Sequence, residues 1–268
     1  MRVLVIGCGS IGARRARLLA EMGHEVEGYD AAGIHVEELM DGTDVSSKAS
    51  LDHMLKRNHA AALICTPPET HMSLALDCLR AGVRGLFIEK PLAVSTDGLD
   101  ELVGVVAEAG AVSMVACNLR FDARLRDLDG VPIKSVTLRM GQDVKHWSPA
   151  HQPVNMILDS IHELDLAVSM LGPIGDIAGR SDTDSAFVEV THLRGTSTIV
   201  LDRTTDPPIR TVTVHDGHKE RVVNLWPPDP EMYCREMQHF LDCVEKGEAT
   251  CNPIERAAET LRWALEVA

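Results

Sequence analysis

Short apolar runs alternate with longer stretches of helical period over the first 117 residues. Arg2–Ile6 reads as a strand, and Ile11–Met22 as a helix with Leu18 and Leu19 on one face. Glu25–Asp30 predicts a second strand, and Ala60–Cys65 and Gly85–Ile88 are short apolar runs bounded by turn residues, as buried parallel strands are. Helical patterns lie at Leu51–Arg57 and Thr70–Ala81, the second closed by Gly82. A further helix runs from a cap at Asp97 to Ala109 and stops at Gly110, before a last strand at Val112–Cys117. Strand–helix alternation with such short links predicts an α/β fold with a parallel sheet covered on both faces.

The pattern changes after Asn118. A helical stretch at Asp122–Leu128 is followed by period-two alternation at Ile133–Met140 and a helix at about Asn155–Leu171, stopped by Gly172-Pro173. Runs at Phe187–Leu193, Thr196–Asp202, Arg210–His215 and Arg221–Leu225 are separated by turn dipeptides and predict an antiparallel sheet. Helices at Pro230–Lys246 and Pro253–Val267 close the chain. The expected division is 1–117 and 118–268, marked by the change of topology rather than by a linker.

At 268 residues the chain suits two modest domains. With 26 basic against 40 acidic side chains its net charge is −14, which argues against a nucleic-acid binder and against docking on anionic lipid. No apolar run approaches the roughly 18–20 residues of a membrane span, and the apolar start breaks at Gly7, too soon for a signal peptide. The seven cysteines include no C-x-x-C pair, which points to free thiols in a cytoplasmic protein and to no metal site.

Three segments carry candidate chemistry. Gly7-Cys8-Gly9-Ser10-Ile11-Gly12 follows the first strand and opens a helix, and Asp30 ends the next strand roughly 20 residues on. Gly7 permits the tight turn, Gly9 the approach of a pyrophosphate, and Gly12 the close packing of helix on strand. The helix N-terminus favours phosphate charge, and Asp30 accepts from a ribose diol. A carboxylate there repels a 2′-phosphate, so NAD is expected, while Arg14 and Arg15 leave NADP open. Thr66-Pro67-Pro68-Glu69-Thr70-His71 and Glu89-Lys90-Pro91 follow two other strands, where the ligand crevice of an open α/β sheet lies.

With Asn118-Leu119-Arg120-Phe121 and Asp159-Ser160-Ile161-His162-Glu163-Leu164-Asp165, these motifs make the chain resemble the glucose–fructose oxidoreductase/inositol dehydrogenase (Gfo/Idh/MocA) family. The resemblance runs over nearly the whole chain. It implies an N-terminal Rossmann domain with a doubly wound parallel sheet. A C-terminal α+β domain would follow, its mostly antiparallel open sheet often joining subunits into a homodimer or homotetramer. It also implies NAD(P)-dependent hydride transfer at a carbinol of a sugar, nucleotide-sugar or cyclitol. Family members are commonly longer, and the shortfall falls around Trp147–Met156. The D-x-x-H-E-x-D spelling is that of a branch often accompanying bacterial surface-sugar pathways.

Oxidising a carbinol requires a base beside the hydroxyl. An imidazole, with an unperturbed pKa of about 6.5, exchanges protons at neutral pH, whereas a lysine, near 10.4, ordinarily stays charged. His162 is therefore the expected acid/base, Lys90 the donor to the reacting oxygen, and Asp159, three residues before His162 and on the same helical face, the orienting group. Asp165 reads as a structural ion-pair partner. By family position Thr66, Pro67 and Pro68 line the cofactor, His71 lies beside it, Glu89 bonds the nicotinamide ribose, and Arg120 binds substrate or braces the domain junction. Trp147 is a loop anchor or a sugar-stacking platform. Cys8, Cys65 and Cys117 fall at strand ends, where small-residue packing explains them. Two further readings remain: a non-catalytic nucleotide-binding sensor or partner subunit, and an amino-acid or imine dehydrogenase.

Overall fold

The structure, a computed structural model, describes residues 1–32, 44–45, 50–143 and 155–268, with 44–45 as backbone only. Trp147 lies outside them. The described chain forms two compact units, Met1–Ala116 with Tyr233–Ala258, and Cys117–Met232 with Glu259–Ala268.

The first unit is built on β1 (Arg2–Ile6), β2 (Glu25–Tyr29), β3 (Asp44–Val45), β4 (Ala61–Ile64), β5 (Gly85–Ile88) and β6 (Val112–Val115). Their order is β3-β2-β1-β4-β5-β6 and every pairing is parallel. The sequences Ala61–Ile64 and Gly85–Ile88 are buried at every position, as strands covered on both faces must be. Helices α1 (Ser10–Glu21), α2 (Leu51–Leu55), α3 (His71–Arg80) and α4 (Leu99–Ala109) connect them. Helix α4 starts from Gly98 at φ 75°, not from a cap at Asp97. Chain order reverses between β1 and β4, the switch point at which such sheets bind ligands beyond their carboxyl ends.

The expected division at residue 117 misses one feature. Tyr233–Ala258, assigned by pattern to the second domain, clusters with the first unit. It contains most of α7 (Met232–Lys246) and the start of α8 (Ile254–Glu266). Phe240 is fully buried, edge-on to Phe87 of β5 with ring centroids 5.3 Å apart. Gly85 permits this approach, since a Cβ there would lie 2.9 Å from both Ala61 and Val244. The segment after α7 then covers the edge strand β6. The Val115 amide donates to the Asn252 carbonyl at 2.9 Å and the Asn252 amide side chain to the Val115 carbonyl at 3.0 Å. The Thr250 hydroxyl donates to the Ser113 carbonyl at 2.6 Å. Burying an edge strand leaves backbone groups that need such partners.

The second unit holds β7 (Ser135–Gly141), β8 (Ile174–Ser181), β9 (Ser185–His192), β10 (Gly195–Asp202), β11 (Ile209–His215) and β12 (Glu220–Asn224), ordered β12-β11-β7-β10-β9-β8. Among the described strands of this unit only β7 and β10 pair in parallel. In β9 the alternation is complete: Ala186, Val188, Val190 and His192 point inward, Ser185, Phe187, Glu189 and Thr191 outward. Strand β8 has no such signature. A bulge between Ile174 and Asp176 breaks its period, and Gly179 at φ 144° brings its backbone against Phe187.

Two helical readings are corrected here. Asn155–Leu171 is two helices, α5 (Met156–Asp159) and α6 (Ile161–Leu171), parted at Ser160 (φ −112°, ψ 36°). Ala123–Leu128 is a 3₁₀ helix whose first turn is capped by Asp122.

Replacing Phe240 by Ala should cost about 3–5 kcal/mol through the cavity left beside Phe87. Asn252→Ala, which strips a partner from the β6 edge, should cost about 1–3 kcal/mol. Urea midpoints of the two variants check both values.

Candidate active site

The carboxyl ends of the first unit's strands gather most of the expected residues. Beyond β1 the Gly7 amide donates to the Tyr29 carbonyl at 2.8 Å, and Gly7 takes φ +88°. A Cβ on Gly7 would lie 2.8 Å from the Cys65 carbonyl, and one on Gly12 would overlap the Gly7 carbonyl oxygen at 1.8 Å. Packing therefore demands both glycines. Gly9 differs: a Cβ there would meet nothing within 4 Å, so open space lies over the turn. Gly9 is also the N-cap of α1 and offers no side-chain cap to the first-turn amides. Asp30 accepts from the Cys8 amide through Oδ2 and from the Ala32 amide through Oδ1, each at 2.8 Å. Its carboxylate is thus held beside the glycine turn. Open backbone, an uncapped helix start and a fixed carboxylate fit a dinucleotide.

His71 is placed differently from expectation. It is fully buried at the start of α3, with Nδ1 2.9 Å from the Pro91 carbonyl and Nε2 2.8 Å from the Thr66 carbonyl. Both nitrogens face the protein, so His71 braces the loops after β4 and β5 and does not line a cofactor. Burial pushes its pKa down, against the opposing pull of the two carbonyls. The Thr66 loop is tightened further by the 2.7 Å contact between the Thr66 and Thr70 hydroxyls and by the Thr70 hydroxyl donating to the Pro67 carbonyl.

Glu89 and Lys90 follow β5 and are half-buried, with a cis bond between Lys90 and Pro91. Glu89 Oε1 accepts from Arg15 Nε at 3.0 Å and from Nη2 at 2.9 Å, while Arg15 Nη1 pairs with Glu236 Oε2 at 2.7 Å. The guanidinium lies over the rings of Phe87 and Tyr233, 4.7 and 5.0 Å from their centroids. Burial opposes its charge, but Glu236 and Glu89 outweigh that cost and raise the Arg15 pKa. Arg15 therefore cannot turn to a phosphate, and Arg14 packs over the Tyr233 ring at 4.8 Å. Burial, with Asp30 adding to it, pushes the Cys8 thiol up to about 12, and burial raises Cys65 well above its usual value. Both are packing residues rather than nucleophiles.

Asp159, His162 and Arg120 belong to the second unit. Asp159 ends α5 and pairs with Arg203 from beyond β10. Asp165 takes Arg120 in a fork, Nε to Oδ2 at 2.6 Å and Nη2 to Oδ1 at 2.7 Å. Asp165 is thus an ion-pair partner, and Arg120 braces α6 through it. Glu163 Oε1 pairs with Arg210 at 2.7 Å. His162 sits half-buried in the first turn of α6. Because Ser160 parts the helices, Asp159 and His162 do not share one continuous helical face.

Residues 1–117 match the model of an oxidoreductase family with an NAD-binding Rossmann fold, Gfo/Idh/MocA. That match takes in somewhat under half of the chain. Inositol 2-dehydrogenase of Rhizobium meliloti is 26% identical over 241 residues, covering 78% of this chain and 72% of that protein. Myo-inositol 2-dehydrogenase of Thermotoga maritima is 27% identical over 190 residues, 64% of this chain, and the match spans only 55% of the relative's length. A UDP-N-acetylglucosamine 3-dehydrogenase structure from Acidithiobacillus ferrooxidans superposes with a TM-score of 0.86 at 21% identity, covering 100% of this chain and 96% of that one. GenD2 of gentamicin A biosynthesis, solved with NAD, gives 0.86 at 18% identity, covering 100% and 93%. At those identities the structures show the shared fold.

Sequence reasoning passed over Arg15 as a buried group, and with it Glu236 and Arg203. Arg15 carried a signal, since it lies on the stripe of Gly12, Ala16 and Leu19, all buried on α1. Glu236 likewise precedes Phe240 by one helical turn.

The folded His71 titrates below its unfolded value, so the folded state binds fewer protons. Its contribution is full above about pH 6.5 and is lost as pH falls below that. The urea midpoint of the protein should decline as pH falls from about 6.5 to about 5, and His71→Gln should flatten that slope while lowering the midpoint above about pH 6.5. An unchanged slope would rule His71 out as a source.

Proposed function

We propose that this chain is an NAD-dependent oxidoreductase acting on a carbinol or carbonyl of a sugar, nucleotide-sugar or cyclitol. One observation carries the reading: the open Gly9 turn, the fixed Asp30 carboxylate and the Glu89-Lys90 loop all stand at the carboxyl edge of one parallel sheet. The names of the inositol dehydrogenase relatives support the cyclitol end of that range.

In this reading Gly7, Gly9, Ser10, Ile11 and Gly12 hold the pyrophosphate through backbone amides. Asp30 accepts from the adenosine ribose and, by repelling a 2′-phosphate, selects NAD over NADP. Thr66, Pro67 and Pro68 form the wall contributed by the β4 loop. When bound, the nicotinamide supplies or accepts the hydride. Lys90 is assigned to donate a hydrogen bond to the reacting oxygen, and His162 to exchange its proton. Asp159, held by Arg203, contributes a fixed carboxylate to the same second-unit segment.

Reduced-nicotinamide absorbance should appear when the protein is given NAD with a member of a cyclitol, sugar and nucleotide-sugar panel. Lys90→Ala and His162→Ala should each lower kcat by about 10²–10⁴-fold. Turnover left intact in both variants would remove these assignments. Asp30→Ser should weaken NAD and improve NADP, read as the ratio of kcat/KM for the two cofactors.

A further inference from the structure

The first unit contains a buried charge cluster that no step of the proposed reaction uses. Arg15 on α1 and Glu236 on α7 are sealed, with side chains 1% and 0% exposed, while Glu89 is 15% exposed at the end of β5. Of the three, only Glu89 reaches the surface, next to Lys90. The guanidinium is held on all sides: Glu89 on one edge, Glu236 on another, and Phe87 and Tyr233 against its plane. Both N–H groups aimed at Glu89 end on the same oxygen, Oε1, and neither bond uses Oε2.

We propose that Arg15 and Glu236 are positioning residues for the nucleotide site. They fix Glu89 through Oε1 so that Oε2 accepts a hydrogen bond from a hydroxyl of the nicotinamide-side ribose. Helix α7 thereby acts on ligand binding without reaching the ligand. The inference rests on the dinucleotide reading above. Its physical basis is the planar fork of arginine, which presents two donors in fixed register, a geometry that a lysine ammonium cannot reproduce. An unheld carboxylate at a strand end would have to be ordered by each ligand that binds, at a cost in affinity.

The test compares NAD with ADP by calorimetric titration. ADP shares the adenosine and pyrophosphate but lacks the second ribose. Glu236→Gln keeps the shape of α7 and loosens Arg15, and Arg15→Lys keeps the charge but loses the fork. Each should raise the Kd for NAD about tenfold and leave that for ADP within about twofold. Equal losses for both ligands, as a merely structural cluster would give, overturn the proposal, and so does an unchanged ratio. Glu89→Gln is the third arm: absence of an NAD-selective loss there overturns the proposal whether or not the other variants fold. Combining Glu89→Gln with Glu236→Gln should add nothing further to the NAD loss, and additive effects overturn it. A parent protein that binds neither nucleotide refutes the dinucleotide reading itself, an outcome distinct from all of these.

Discussion

A guanidinium cannot enter a protein interior without carboxylates to meet it. The burial of Arg15 therefore binds three distant segments at once: the helix that opens after the glycine turn, the end of β5, and helix α7. None can shift without exposing or stranding a charge. Because the same arginine stacks on Phe87 and Tyr233, the apolar packing of that region and its ion pairing are one constraint. The geometry of the strand ends, where the glycine turn and Lys90 stand, is inherited from it.

The second unit uses the same device along a shorter stretch. Asp159, Glu163 and Asp165 each meet an arginine drawn from elsewhere in the fold: Arg203, Arg210 and Arg120. Carboxylates matched in this way act as fixed charges. The fourth ionisable side chain of that segment is His162, the residue type whose proton exchange falls nearest neutrality.

The layered architecture was legible because buried parallel strands and helices leave unlike periodicities. Ala61–Ile64 and Gly85–Ile88 admit no polar residue, and burial alternates throughout β9, although outward Phe187 and inward His192 depart from the apolar–polar pattern. Strand β8 was illegible because its bulge and two internal glycines erase the period. The break at Ser160 was missed because apolar spacing continues through it. The cofactor loop could be read from its glycines, whose need is steric and local. Partners were another matter: His71 was read beside a cofactor, Arg15 as able to reach a phosphate and Arg120 as either a substrate or a bracing residue, whereas the fold gives each of them protein partners. Sequence spacing reveals residue type and helical face, but the choice between a ligand and a carboxylate from a distant segment is made in three dimensions.

The return of Tyr233–Ala258 to the first unit carries a practical consequence for dissection of the molecule. A fragment cut after the last parallel strand would leave Phe87 bare and the β6 rim hungry for donors and acceptors. Such a fragment would invite self-association through that rim. An excised nucleotide half would need both stretches of chain, spliced by a short artificial joint in place of the intervening module.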